Sequence, residues 1–406
     1  MIAAWVEGRL PAGEAVRVAM EGGRIADVVP IADREDLPWL APGLVDLQVN
    51  GFAGIDFNAL PPETRSIGSA VRMLLRQGVT TFLPTVITNS DEAIEQLLAS
   101  IASACAEDEL VRACVAGIHL EGPFLSPADG SRGAHDRKHI RAPDWESFRR
   151  WQRAADGRIL ILTMSPEWEN SARFISRCVS EGVIVSIGHT AATPGQIREA
   201  AAAGASMSTH LGNGAQLQLP RHPNYIWEQL AADELTACVI PDGFHLPDSV
   251  LKVFLRAKAG RIAFVSDAVS LSGLAPGAYR TPVGGDVVLT PEGRLHLASD
   301  PQLLAGSAQM LIDGIAGVVG RGLCTLAEAW ELGSAAPAAA AGLTGVGRIE
   351  PGSAADLVRF RRLPDPRISD GGEARLTIEE VYKAGKLVFR REDELDQKTM
   401  APSGSS

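Results

Sequence analysis

Residues 183–211 of this 406-residue chain read VIVSIGHTAATPGQIREAAAAGASMSTHL. The candidate strand Val183–His189 is an apolar, β-branched run that closes on a Gly-His-Thr turn. The segment Pro194–Ala203 has the composition of a helix that starts at a proline, and a second short run, Met207–Leu211, follows it. A strand, a helix and a second strand in this order predict a parallel βαβ unit.

The same alternation of strands and helices extends in both directions from this unit, beginning at Gly43. The other candidate strands are Leu44–Asn50, Thr81–Thr88, Val115–Glu121, Ile159–Ser165, Cys238–Asp242 and Ile262–Asp267. Helix-like segments lie between them, for example Glu63–Gln77, Asp91–Cys105 and Glu169–Glu181. Eight strands with helical crossovers predict an α/β fold, a closed (β/α)8 TIM-like barrel, rather than an open sheet.

The two ends of the chain have a different pattern. The first residues alternate apolar and polar side chains around Gly22-Gly23, and strand-like runs return after Gly347. We therefore predict a small β-sandwich formed from residues 1–42 and 346–394, with the barrel spanning residues 43–345. Within the barrel segment, Tyr279–Leu297 resembles a hairpin insertion, and residues 395–406 are predicted to be disordered.

Charge and cysteine content narrow the functional class. The formal net charge is −11 and no run of basic residues occurs, which argues against a nucleic-acid partner. The 5 cysteines are scattered without a C-x-x-C pair, so we expect reduced thiols that mostly fill the core. The sequence has neither a signal-peptide pattern nor a long apolar run, and we predict a cytoplasmic protein that does not bind membranes.

Polar residues fall at the ends of several candidate strands. Glu121, His189, His210 and Asp267 end the third, fifth, sixth and eighth strands, and His245 follows the seventh. Because the carboxyl ends of barrel strands meet on one face, where active sites form, we expect these side chains to converge. A single histidine in such a turn is more often structural, and the weight of the prediction comes from the coincidence of four such positions.

Glu121, His189 and His210 together make a ligand set for a divalent cation. Two neutral imidazoles and a carboxylate leave a metal ion one open position for water, and such an ion lowers the pKa of that water to about 7. Asp267 is the candidate general base and acid, although it could instead orient a ligand. Zinc suits these ligands best, and iron or manganese also fit them.

Six short motifs occur in an order that resembles a known family. They are Pro42-Gly43-Leu44-Val45-Asp46, His119-Leu120-Glu121-Gly122-Pro123, Gly188-His189-Thr190, Thr209-His210-Leu211, Asp242-Gly243-Phe244-His245 and Ser266-Asp267-Ala268. Together they resemble the N-acetylglucosamine-6-phosphate deacetylases of the amidohydrolase superfamily. The resemblance implies one zinc-like ion on Glu121, His189 and His210, with Asp267 as the catalytic carboxylate.

The first strand bears on the number of metal ions. Many superfamily members have a His-x-His pair there for a second metal, whereas this chain has Gln48-Val49-Asn50. Side-chain amides are poor zinc ligands, and one branch of the deacetylases is similar in this substitution and uses a single metal. We therefore predict one metal ion per chain. The role of His119, two residues before Glu121, is left open between support of the ligands and barrel packing.

The resemblance also implies substrate contacts. His135 corresponds to a family histidine near the reacting carbonyl and His245 to one that helps hold the sugar phosphate, while Asn213 and Gly214 belong to the substrate loop. Arg221 corresponds to an arginine that reaches the phosphate across a dimer interface, which implies a homodimer. The loop departs from the family pattern where Gly212 replaces an aromatic residue and where His222 and Asn224 replace Glu and Gly.

These observations favour hydrolysis of an N-acetyl amino sugar, with N-acetylglucosamine 6-phosphate as the implied substrate. The altered loop keeps open a different or unphosphorylated N-acyl substrate, such as another N-acetylhexosamine, an N-acyl amino acid or a cyclic amide. A non-catalytic scaffold on the same fold is the third hypothesis, and it predicts lost ligands, which this sequence does not show.

Overall fold

The structure is a computed structural model that describes residues 4–281, 285–364 and 373–391. The predicted disordered segment 395–406 lies outside these residues. The amino-terminal segment forms strands β1 (Ala4–Arg9), β2 (Ala15–Glu21), β3 (Arg24–Pro30) and β4 (Trp39–Pro42). Strand β5 (Leu44–Val49) and a short hairpin of β6 (Gly51–Phe52) and β7 (Ile55–Asp56) come next.

A succession of parallel strands and helices follows this hairpin. The strands are β8 (Val79–Ile87), β9 (Ile118–Glu121), β10 (Ile159–Met164), β11 (Ile184–Ile187), β12 (Met207–Ser208), β13 (Thr236–Val239) and β14 (Ile262–Phe264). The helices are α1 (Thr64–Leu75), α2 (Asp91–Glu107), α3 (Glu109–Cys114), α4 (Trp145–Ala154), α5 (Ser171–Ser180), α6 (Pro194–Ala202), α7 (Tyr225–Ala231) and α8 (Asp248–Ala257).

Strands β5 and β8 to β14 form one parallel sheet in chain order, which confirms the predicted barrel. The two edges approach each other where Val49 pairs with Ala268 in a parallel bridge. The amide nitrogen of Asp267 also donates to the carbonyl of Gln48, at 3.0 Å. Sequence positions 48–50 and 266–268, far apart in the chain, thus become neighbours at the seam of the barrel.

The remaining elements lie after β14. They are the three-stranded sheet of β15 (Gly277–Thr281), β16 (Gly285–Leu289) and β17 (Leu295–Leu297), the helices α9 (Leu311–Gly320), α10 (Leu326–Leu332) and α11 (Ala335–Ala340), and the strands β18 (Leu357–Pro364), β19 (Glu373–Lys383) and β20 (Lys386–Arg390). The last three strands join β1 to β4 in one sheet of order β20-β19-β18-β4-β1-β2-β3. The prediction that both termini build a separate β-structure is confirmed.

Apolar side chains fill the interior of the barrel below its carboxyl end. Val45, Leu47, Leu83, Ile161 and Met207 are buried in one cluster, against which Ala338 and Ala341 pack. The predicted ligands Glu121, His189 and His210, in contrast, lie at the carboxyl ends of their strands, where they can face a substrate. All 5 cysteines are free thiols, and 4 of them are buried, as the sequence predicts. Within the described part of the chain, no helix combines the length and the apolar character that spanning a membrane requires.

Candidate active site

Three predicted ligands meet at the carboxyl end of the barrel. Glu121 is the last residue of β9, His189 follows β11 and His210 follows β12. The Nε2 atom of His210 lies 3.0 Å from Oε1 of Glu121 and 3.0 Å from Nε2 of His189. The Nε2 atom of His189 lies 3.3 Å from the same carboxylate oxygen. All three side chains are buried, and we call them the three-ligand cluster.

The chemistry of the three-ligand cluster fits a cation. The Nδ1 atom of His189 lies 2.9 Å from the carbonyl oxygen of Ser131, which can only accept, so Nδ1 carries the proton and Nε2 presents a lone pair. Ligands about 2.0–2.1 Å from a tetrahedral zinc ion lie about 3.3 Å apart, close to the distances observed here. The cluster could therefore hold one divalent cation with little rearrangement.

Electrostatics within the cluster keep the carboxylate ionised. Burial of Glu121 raises the pKa of its carboxyl group, but the hydrogen bonds to His189 and His210 outweigh burial and hold that pKa well below its usual range. For His210, burial lowers the imidazole pKa, yet the hydrogen bond to Glu121 and its charge raise it overall. An anionic carboxylate that attracts positive charge is what a cation site requires.

Backbone strain accompanies these residues. Three residues have positive φ values, 48° for His189, 29° for His210 and 49° for Asp267. These values lie in or near the left-handed region, which residues other than glycine rarely adopt. Each such conformation costs about 1–3 kcal/mol and persists only where the surroundings impose it. These conformations interrupt the extended backbone just after β11, β12 and β14, where the three residues lie.

Asp267 lies beside the cluster and keeps one oxygen available. Burial and the nearby charge of Glu121 raise the pKa of its carboxyl group to about 6, against the opposing effects of His210, His245 and Asn50. Its Oδ1 atom accepts a hydrogen bond of 2.7 Å from Nδ2 of Asn50. A carboxyl group with a pKa near neutrality is suited to exchanging protons with a substrate.

His135 also reaches the cluster, from the loop after β9. Its ring lies edge-on to that of His189, with 4.4 Å between centroids, and its Nδ1 lies 2.9 Å from Oγ1 of Thr88. Burial and the charge of His189 lower the pKa of His135 to about 3. The imidazole is therefore neutral near pH 7 and can only exchange hydrogen bonds there.

His119 has a supporting position inside the barrel. Its Nδ1 lies 3.0 Å from the carbonyl of Leu47, and its Nε2 lies 2.7 Å from Oγ1 of Thr163. Hydroxyl contacts of 2.6 Å continue from Thr163 to Thr209 and from Thr209 to Ser186. These hydrogen bonds link residues of β5, β9, β10 and β11 with Thr209, directly after β12, and none of them involves a ligand side chain. Sequence reasoning did not identify the three hydroxyl groups, which look like ordinary strand residues.

The predicted substrate residues differ in burial and in their contact with the three-ligand cluster. Asn213 donates from Nδ2 to the carbonyl of His210 at 3.2 Å, and Gly214 lies directly against His189. His245 is partly buried, and its Nδ1 is 2.7 Å from Oδ2 of Asp242. Arg221 is exposed, and no carboxylate lies within ion-pair distance of it among the residues described. Its guanidinium is thus free to meet an anion.

The substrate loop has structural reasons for its unusual residues. Gly212 has a φ of 94°, which residues with a side chain rarely adopt, and an added Cβ would lie 2.9 Å from Leu246 and 3.3 Å from Phe254, so any other residue would be strained at this position. Asn224 accepts hydrogen bonds from the amides of Ile226 and Trp227 and thereby caps α7. Gly212 and Asn224 therefore each have a structural reason in the local packing.

Gly214 offers a test of the cluster geometry. It has a φ of 55°, and an added Cβ would lie 2.6 Å from Nδ1 of His189. We expect Gly214→Ala to displace His189 and to weaken metal affinity by about tenfold or more, as loss of a ligand's support typically does. Metal titration of the metal-free protein measures this effect.

Gly157→Ala is the matched control. Gly157 also has a positive φ, 73°, but nothing lies within 4 Å of its added Cβ. It should show the cost of backbone strain, about 1 kcal/mol or more in stability, with unchanged metal affinity. Equal metal affinities in the two variants would contradict the proposed contact between Gly214 and a ligand.

Comparison with known proteins supports the same chemistry. The model of the Amidohydrolase family matches residues 39–388. The chain is 36% identical over 278 residues to N-acetylglucosamine-6-phosphate deacetylase from Bacillus subtilis, covering 68% of each protein. It is 30% identical over 357 residues to the enzyme of the same name from Lysinibacillus sphaericus, covering 85% of this chain and 89% of that one. The chain belongs to the N-acetylglucosamine-6-phosphate deacetylase family of amidohydrolases.

Solved structures of such deacetylases have the same architecture. The deacetylase from Thermotoga maritima superposes with a TM-score of 0.81 at 27% identity, covering 95% of this chain and 100% of that one. A mutant deacetylase from Mycobacterium smegmatis, in complex with N-acetyl-D-glucosamine-6-phosphate, gives a TM-score of 0.78 at 26% identity, covering 92% and 94%. The chain is accordingly an enzyme of the amidohydrolase type, whose metal dependence agrees with the three-ligand cluster.

Proposed function

We propose that this protein hydrolyses N-acetylglucosamine 6-phosphate to glucosamine 6-phosphate and acetate. The observation that carries the proposal is the three-ligand cluster beside Asp267, in a chain of the deacetylase family. The test is release of acetate from N-acetylglucosamine 6-phosphate, with N-acetyl amino acids as competing substrates. Turnover of the amino acids alone would overturn the assignment.

Each residue has a role that its position supports. A divalent cation on Glu121, His189 and His210 would supply a Lewis acid for the acetyl carbonyl and lower the pKa of a coordinated water to about 7. The Oδ1 atom of Asp267 accepts a hydrogen bond from Asn50, which leaves Oδ2 to accept a proton from the attacking water. The same oxygen then returns the proton to the nitrogen of the departing amino sugar.

His135 is proposed to stabilise the developing negative charge on the acetyl oxygen. The hydroxyl of Thr88 has one proton and two acceptors in reach, Nδ1 of His135 at 2.9 Å and the carbonyl of Glu121 at 3.4 Å, and the shorter contact favours donation to Nδ1. The neutral ring then carries its own proton on Nε2, which can donate to that oxygen. We propose zinc as the cation, since imidazole and carboxylate ligands favour it, with iron and manganese as the competing ions. We further propose a homodimer in which Arg221 of one protomer contacts the phosphate of the substrate bound to its partner.

Arg221 supplies a prediction about substrate choice. Charge-assisted hydrogen bonds contribute about 1.5–3 kcal/mol, so Arg221→Ala should raise KM for the phosphorylated sugar by about tenfold or more. Turnover of N-acetylglucosamine, which lacks the phosphate, should not change. Steady-state kinetics on the two sugars measures the difference.

Arg348→Ala provides the control for Arg221. Arg348 is likewise exposed, and it lines a separate cavity together with Thr236 and Ile262, the first residues of β13 and β14. Its substitution should leave both KM values unchanged. An equal loss on both sugars in Arg221→Ala would show that the arginine acts on the fold of the loop and not on the phosphate.

The remodelled loop favours one alternative substrate class. The loop has no side chain at Gly212, two residues after the predicted ligand His210, and so offers a substrate no side-chain wall at this position. A different N-acetylhexosamine, phosphorylated or not, is therefore the second candidate. Comparing kcat/KM across N-acetyl derivatives of glucosamine, galactosamine and mannosamine separates the two.

A further inference from the structure

Two amide side chains at the end of β5 contact the two carboxylates of the site. Gln48 donates from Nε2 to Oε1 of Glu121 at 3.1 Å, and Asn50 donates from Nδ2 to Oδ1 of Asp267 at 2.7 Å. Gln48 is 1% exposed, and Asn50 is partly buried. The two residues lie two positions apart and so share one side of the chain.

We propose that Gln48 and Asn50 are separate positioning residues: Gln48 holds the metal-ligand carboxylate of Glu121, and Asn50 holds the proton-transfer carboxylate of Asp267. The assignment of Asp267 rests on the proposed function, whereas that of Glu121 rests only on the three-ligand cluster.

The bonding of Asn50 shows that its amide serves Asp267. Its Oδ1 atom is buried without a partner in the described part of the chain, so the hydrogen bond to Asp267 is what fixes the side chain. Asn58 is different, because both ends of its amide bond to the backbone of β8, at the carbonyl of Thr85 and the amide of Ile87. Asn58 supports a strand, whereas Asn50 supports a functional group.

The backbone around Asn50 restrains Asp267 in a second way. The amide of Asn50 donates to the carbonyl of Ala268 at 2.8 Å, and the amide of Asp267 donates to the carbonyl of Gln48 at 3.0 Å. These bonds bracket the residue whose φ of 49° is strained. The side-chain bond then sets which carboxylate oxygen remains free, and a carboxylate free to rotate would present its oxygen in the reactive direction only part of the time.

The hydrogen bond from Gln48 affects metal binding by Glu121. Oε1 of Glu121, to which Gln48 donates, is the oxygen that faces both histidine Nε2 atoms. A hydrogen bond to one lone pair leaves the other directed at the cluster and fixes the rotation of the carboxylate. Loss of this bond should therefore weaken metal binding, without a direct effect on proton transfer.

The test compares Gln48→Ala and Asn50→Ala in two measurements, with the whole protein. The first is zinc affinity, from titration of the metal-free protein with zinc and a competing chelator. The second is kcat and KM at saturating zinc. Gln48→Ala should lose about tenfold to a hundredfold in zinc affinity and regain most of its kcat in excess zinc. Asn50→Ala should keep its zinc affinity and lose at least about tenfold in kcat, with little change in KM.

Two further variants separate positioning from folding. Asn50→Gln, whose side-chain amide can still donate to Asp267, should recover part of the kcat lost in Asn50→Ala. Asn58→Ala should alter thermal stability without the same split between kcat and KM. If both amide variants lose zinc affinity and kcat together, or if neither does, the division of roles is wrong. An inactive wild-type protein that still shows the loss of zinc affinity in Gln48→Ala would overturn the proposed function and leave the role of Gln48 standing.

Discussion

Asp267→Asn should retain its metal ion and lose about a hundredfold to ten-thousandfold in kcat. A carboxamide cannot accept the proton of the attacking water, and general acid–base catalysis typically contributes a factor of this size. The substitution is nearly isosteric, so the hydrogen bond from Asn50 to Oδ1 can persist. The measurements are acetate release under saturating substrate and metal content by elemental analysis.

Asp56→Asn is the matched control for this variant. Asp56 is another partly buried carboxyl group near the barrel mouth, and burial raises its pKa as well. Its Oδ1 accepts from the amide of Asn58, an interaction that the carboxamide oxygen can keep. The kcat of Asp56→Asn should be close to that of the wild type. Near-normal turnover in Asp267→Asn would remove Asp267 from the proton-transfer role.

His210→Ala should lose the metal ion and with it nearly all activity. The side chain contributes the Nε2 atom that lies 3.0 Å from both other ligand atoms, and its Nδ1 atom has no partner among the residues described. A Lewis-acidic ion lowers the barrier by several kcal/mol, so its loss should cost about a thousandfold or more in kcat.

Thermal unfolding gives a second readout for this variant. A ligand that binds only the folded state stabilises it, so a chelator should lower the Tm of the wild type. The Tm of His210→Ala should not respond to the chelator. His296→Ala is the control, since His296 contacts the carbonyl of Leu297 in the hairpin and should keep both metal and chelator response. A chelator response in His210→Ala equal to that of the wild type would contradict the ligand assignment.

The barrel could be predicted from the sequence because segments with strand and helix composition alternate along the chain. The three-ligand cluster could be predicted because the topology of a barrel brings the carboxyl ends of its strands together. The sequence did not predict the local backbone conformation at the strand ends. The sixth strand, predicted as Met207–Leu211, ends at Ser208 because His210 adopts a φ of 29°. Composition does not indicate that a histidine will leave the strand conformation, since the constraint comes from neighbouring strands.

The roles of supporting residues were also beyond the sequence. Asn50 was interpreted only as a poor metal ligand. Its hydrogen bond to Asp267 forms because the barrel closes and brings together two residues that are 217 positions apart in the chain. His119 was left open between two roles, and its partners are Thr163 on the adjacent strand β10 and Leu47 on β5, two strands away in the sheet. Contacts of this kind depend on strand register, which no short motif encodes.

The most direct test of the account is acetate release from N-acetylglucosamine 6-phosphate by metal-free protein to which zinc is returned in measured steps. We predict no turnover without metal, a linear rise in kcat up to about one ion per chain, and a plateau beyond it. Activity that is independent of added metal, or that rises until two ions per chain are bound, would contradict the single-cation mechanism proposed for Glu121, His189 and His210.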